Sequence, residues 1–164
     1  MINFCGSYVM LLMNTESLSL ESNELTGTIP SEMGLLLNLE SLSLSDNELE
    51  GTIPSEIGLL LNLDWLRMDW NTFTGTIPTE IGLLSKLNSL TLELNNLEGS
   101  IPSEIGRCSE LMWLSVSKND LEGPIPSELY DCEKLSELSL SNNHLTGTIS
   151  TNINQLSILR RREY

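Results

Sequence analysis

"LESLSLSDNELEGTIPSEIGLLLN", residues 39–62, is one full copy of the unit from which this chain is built. Its "LSLS" segment alternates apolar and polar residues, the period of a half-buried strand. Leu42 and Leu44 therefore point inward, and Ser41, Ser43 and Ser45 outward. Asn47 ends the strand, and its amide has both donors and an acceptor to offer to backbone groups of the turn and its neighbours. Gly51 frees the backbone and Pro54 blocks a helix, so "GTIP" suits a second extended segment. "PSEIG" offers Ser55 as an N-cap with Glu56 in the first turn, which predicts a short helical or 3-10 turn on the outer side.

The same unit recurs in both directions. Asn23, Asn47, Asn71, Asn95, Asn119 and Asn143 are spaced by 24 without a slip, as are Gly27, Gly51, Gly75, Gly99, Gly123 and Gly147. The isoleucine two residues past each glycine keeps the period, and proline follows it in five of six copies, Ser150 breaking the series. One unit cannot bury its leucines alone. Stacked units can, at roughly 4.8 Å per strand of a parallel sheet.

These segments resemble the leucine-rich repeat family, in its 24-residue plant-type class with the pattern LxxLxxLxLxxNxLxGxIPxxIGxLxN. "NELTGTIPSEMG", "NELEGTIPSEIG" and "NTFTGTIPTEIG" carry that likeness. It implies an α/β solenoid, curved and right-handed, with a parallel sheet on its concave face and short 3-10 or helical turns on its convex face. Such repeats form the ectodomains of receptor-like kinases and receptor-like proteins, so the resemblance also implies partner recognition on the concave sheet. It further implies a cell-surface, extracellular or membrane-associated place, and a role in signal transduction.

The frame extends to the N-terminus, where "SYVMLLMNTESLSL" (7–20) lies over "SEMGLLLNLESLSL" (31–44). Residues 1–14 are therefore read as a degenerate partial repeat and not as a targeting segment, which would need a basic start and a longer apolar run. Residues 15–158 form six 24-residue repeats, and 159–164 the start of a truncated seventh repeat or a basic tail. Neither end shows the polar cap that solenoids need, so stacking between chains stays open as a route to oligomers.

Composition narrows the partners. Among 164 residues, 23 Asp and Glu against 8 Lys and Arg give a net charge of −15. That charge excludes nucleic acid, which requires cations to displace counterions, and argues against anionic membrane surfaces. No run approaches the roughly 18 apolar residues of a membrane-spanning helix. The absence of an N-x-S/T sequon mildly disfavours a heavily glycosylated ectodomain.

Little points to catalysis. His144 is the sole histidine, and no metal cluster, glycine-rich phosphate loop or cofactor motif accompanies it, so no enzyme, metal or cofactor is expected. Glu32, Glu56, Glu80, Glu104 and Glu128 form a column on the convex turn, read as a solvated acidic face. Cys108 and Cys132 share a core column with Leu36, Leu60, Leu84 and Leu156. Strand spacing would permit a disulfide between them, and buried thiols acting as small hydrophobes is the plainer reading.

The outward strand positions are where the copies differ. They read Ser17, Ser19, Glu21; Ser41, Ser43, Ser45; Trp65, Arg67, Asp69; Ser89, Thr91, Glu93; Trp113, Ser115, Ser117; and Glu137, Ser139, Ser141. One residue before the asparagine come Ser22, Asp46, Trp70, Leu94, Lys118 and Asn142. All three tryptophans thus fall on solvent-facing sites. Trp65 and Trp113 lie two strands apart across Ser89, roughly 10 Å, which predicts a slot for a flat group. Trp65, Arg67, Asp69, Trp70, Leu94 and Trp113 form the candidate ligand-binding site, for a peptide, a protein or a cell-surface glycan. Three alternatives stay open: cross-strand packing of these side chains on one another, a contact with another protomer, and a purely structural, scaffolding solenoid.

Overall fold

The computed structural model describes residues 12–151 and the backbone of 161–163. Most of the partial repeat expected over 1–14, together with Cys5 and the end of the sixth repeat, lies outside the described residues.

Each unit folds as strand, turn, strand, 3-10 turn. The first strands are Ser17–Ser19, Ser41–Ser43, Trp65–Arg67, Ser89–Thr91, Trp113–Ser115, Glu137–Ser139 and Arg161–Glu163. They form one parallel sheet in chain order, each paired with the next at an offset of 24 residues, as in Leu42↔Leu66↔Leu90. The second strands, Thr26–Gly27, Glu48–Thr52, Thr72–Gly75, Asn96–Gly99, Asp120–Pro124 and His144–Thr146, stack into a second parallel sheet. The turns Ser31–Leu35, Ser55–Leu59, Thr79–Leu83, Ser103–Arg107 and Ser127–Asp131 cover the opposite side. The structure shows a leucine-rich-repeat type of solenoid, as the period implies.

The core is the inward columns. Leu42, Leu66, Leu90, Leu114 and Leu138 are all buried, and Cys108 and Cys132 continue the column of Leu36, Leu60 and Leu84. Both cysteines are free thiols, donating weak hydrogen bonds to the Ile81 and Ile105 carbonyls at 3.3 and 3.5 Å. Burial pushes the Cys108 thiol up to about 12, with Cys132 beside it adding to the shift, and the Cys132 thiol up to about 11. Both are therefore neutral and weakly nucleophilic at ordinary pH.

The asparagines form a ladder that ties the turns together. Asn71 Nδ2 donates to the carbonyls of Leu44, Met68 and Asp69, and its Oδ1 accepts the Leu49 N–H at 3.0 Å. The residue before each asparagine is left-handed in every copy, with φ of 55–57° from Ser22 to Asn142.

The convex turn departs from expectation in one respect. Each 3-10 turn begins on a proline in the capping position with no side-chain cap bond. The serine points instead at its neighbour, Ser55 Oγ donating to Glu56 Oε2 at 3.4 Å. Proline already supplies the fixed φ that starts the turn, and the serine is one residue too late to cap it.

Candidate ligand-binding face

A cavity of about 540 Å³ lies over the first sheet, within the size range of ligand sites. Its walls include Trp65, Arg67, Asp69 and Trp113, which come from the outward positions singled out above. Glu21, Glu93 and Glu137 also line it, as do Ser45, Ser89, Thr91, Ser115 and Ser139. Those carboxylates stand in the same outward columns, but among serines and threonines they lacked the contrast that made the tryptophans visible.

The slot expected between the two indoles is closed. Register places Ser89 between Trp65 and Trp113, yet the ring centroids are 5.6 Å apart at a tilt of 45°. With roughly 10 Å between their strands, the rings lean together over Ser89, which is buried beneath them. A tilted pair at this distance gains about 0.5–1.5 kcal/mol that parallel, separated rings would forgo. The cross-strand packing alternative thus accounts for part of their placement.

Two contacts orient Trp65. Its Nε1 donates to Asp64 Oδ2 at 2.7 Å, and the Arg67 guanidinium stands 5.2 Å from its ring centroid. The cation rests on the negative face of the indole, a geometry worth about 0.5–1 kcal/mol at an exposed site. Asp69 does not pair with Arg67. Its Oδ1 accepts from Ser45 Oγ at 2.9 Å and Thr91 Oγ1 at 2.5 Å, so hydroxyls of the repeats on either side clamp it. Ser43 holds Glu21 in the same way, at 2.9 Å. Ser43 and Ser45, which the alternation alone places in solvent, are buried beneath the face.

Trp70 and Leu94 are absent from the cavity wall and sit at the edge where the strands end. They are laterally linked, Asn71 N–H donating to the Leu94 carbonyl and Trp70 N–H to that of Glu93. Both occupy the left-handed column, at φ 57° and 56°, a conformation that costs a bulky residue about 1–2 kcal/mol. Trp70 is 57% exposed. Neither backbone preference nor burial accounts for an indole there.

Stacked units of this geometry define a leucine-rich-repeat solenoid, and comparison with known proteins gives the family directly. The family model for the Leucine Rich Repeat matches residues 14–36, 38–60, 86–108 and 134–156, and the chain belongs to that family. The stretches between those matches, 61–85 and 109–133, contain Trp65, Arg67, Asp69, Trp70 and Trp113. No curated protein sequence matches the chain significantly.

Solved structures do. The plant peptide hormone receptor RGFR1 in complex with RGF2 is 34% identical at a TM-score of 0.92, over 96% of this chain and 25% of that one. The leucine-rich-repeat ectodomain of the membrane receptor kinase GASSHO1/SCHENGEN3 from Arabidopsis thaliana, in complex with CASPARIAN STRIP INTEGRITY FACTOR 2, is 36% identical. Its TM-score is 0.94, over 97% of this chain and 19% of that one. A plant ice-binding protein is 32% identical at 0.77, over 82% and 43%. The chain thus spans about a quarter or less of these two receptor structures, and the fold by itself serves more than one ligand.

Proposed function

We propose that this chain is a non-catalytic recognition module of the receptor-ectodomain type, binding a peptide segment on its concave face. The observation that carries this reading is the cavity over the first sheet, walled by the residues in which the third and fifth repeats depart from their neighbours. Trp65 and Trp113 present a joined aromatic surface, Arg67 and Asp69 set polar contacts beside it, and Trp70 with Leu94 offers a second apolar contact at the edge where the strands end. The similarity to receptors solved with their ligands supports a peptide over a glycan, and a cell-surface setting.

Selection of displayed random peptides on the immobilised protein tests the site. Trp65→Ser with Trp113→Ser restores the serine that Ser41 and Ser89 show in the same column, so the fold should tolerate both changes. Enriched peptides should bind this variant about 30-fold or more weakly, the scale of losing roughly 2 kcal/mol at an aromatic anchor. Undiminished binding by the folded variant would remove the concave site.

A further inference from the structure

The back of the solenoid carries a second set of side chains that the fold does not use. In the unit pattern, the positions on either side of the buried leucine after "IG" are free, and here they hold Leu35, Leu37, Leu59, Leu61 and Leu83. Each is about half exposed, from 49% at Leu59 to 57% at Leu61, and Met13 stands in the column of Leu37 and Leu61 at 41%. Neighbouring turns abut closely: a Cβ added at Gly58 would lie 2.6 Å from Glu80 Cβ and 2.7 Å from its carbonyl oxygen. The six side chains therefore form one apolar patch of roughly 500 Å², the size that marks an interaction surface on a soluble protein. In later repeats the same columns hold Ser85, Arg107, Ser109, Asp131 and Glu133, so the patch is confined to one end.

Charge indicates what covers it. Residues 1–66 contain ten Asp and Glu and no Lys or Arg. Around each turn the leucines lie between two acidic columns, Glu32, Glu56 and Glu80 on one side and Glu16, Glu40 and Asp64 on the other. The first cation on this side is Lys86, at the far border, where its Nζ donates to Asn62 Oδ1 at 2.8 Å. A second copy of the chain would bring like charge against like. A basic amphipathic helix complements both features, its apolar residues recurring every 5.4 Å against leucines spaced by roughly 4.8 Å, its lysines or arginines reaching the carboxylates.

We infer that the convex patch Met13, Leu35, Leu37, Leu59, Leu61 and Leu83 is a docking surface for a basic amphipathic helix of a partner protein, separate from the concave site. The probe is a fluorescein-labelled leucine/lysine peptide with its leucines on one helical face, with a serine/lysine peptide of equal charge as control. Anisotropy at physiological ionic strength should show saturable binding of the first and not of the second.

Leu59→Asp with Leu61→Ser installs residues that the same columns already accept at Asp131 and Ser85. It should weaken binding at least tenfold despite the added carboxylate, while Trp65→Ser with Trp113→Ser leaves it unchanged. A purely electrostatic contact would instead tighten in the first variant, and that result overturns the inference. So does failure of the peptide to bind. Sedimentation showing a dimer that the first variant dissolves would also overturn it, by making the occupant a second copy.

Discussion

The hollow side and the back of this solenoid change character in different repeats. On the back, leucines stand exposed through the first three turns and yield to serine, arginine and carboxylates further along. On the hollow side the first two strands present serines, and the indoles arrive only at the third and fifth. The backbone is common to all copies, with the same 24-residue offset along the first sheet and a left-handed residue before each asparagine. The two faces therefore vary independently of the fold and of one another. Inward and ladder columns determine whether the chain folds, and the free columns are left open to change.

Substitutions on either side of that division test it, and the largest effect belongs to the ladder. Asn71→Ala removes four hydrogen bonds at a buried site and orphans the Leu49 N–H, a loss expected at about 3–5 kcal/mol by urea denaturation. A change under about 1 kcal/mol would mean that the ladder does not hold the turns. Gly58→Ala comes next, because backbone and Cβ of Glu80 block the new methyl and cannot swing away. It should cost about 2–3 kcal/mol in the same assay.

The core thiols give a pH effect of intermediate size. The folded chain keeps the Cys108 and Cys132 protons above pH 9, where the unfolded chain releases them, so unfolding liberates protons and stability falls as pH rises. By pH 10 the loss is about 1–2 kcal/mol per thiol. Replacing both by leucine, the occupant of the column at Leu36, Leu60 and Leu84, should flatten that part of the stability profile. An unchanged alkaline slope would assign it to other groups.

Trp70→Asn is the smallest and runs the other way. Asparagine accepts a left-handed backbone, as Asn142 does in the same column, so the variant should be more stable by about 1 kcal/mol. If its melting temperature falls instead, Trp70 is a packing residue and leaves the candidate site.

The repeating columns were legible because a fixed period turns every copy into a control for the others. Asn, Gly and the inward leucines announced the two extended segments and the ladder, and Trp65 and Trp113 stood out in a column of serines. Side-chain lean was not legible: nothing in "WLR" or "WLS" says that two rings will close over Ser89. Nor was the left-handed column, since Ser22, Asp46, Trp70, Leu94, Lys118 and Asn142 share a φ and no chemistry. The convex leucines were concealed for a different reason. Leu35 and Leu37 flank the buried Leu36, and a run of three leucines looks uniformly apolar until Ser85, Arg107 and Ser109 in the same columns mark its flanks as free.

The unbroken 24-residue register has a further consequence for how such a surface can change. Duplicating or deleting one whole unit leaves every remaining contact type intact and shifts everything beyond it by a single strand, about 4.8 Å. Trp65 and Trp113 touch because one serine-bearing strand lies between them. A second such strand would part them, and none would crowd them. The spacing of the two indoles is therefore digital, adjustable in whole repeats by recombination where point substitution would have no purchase.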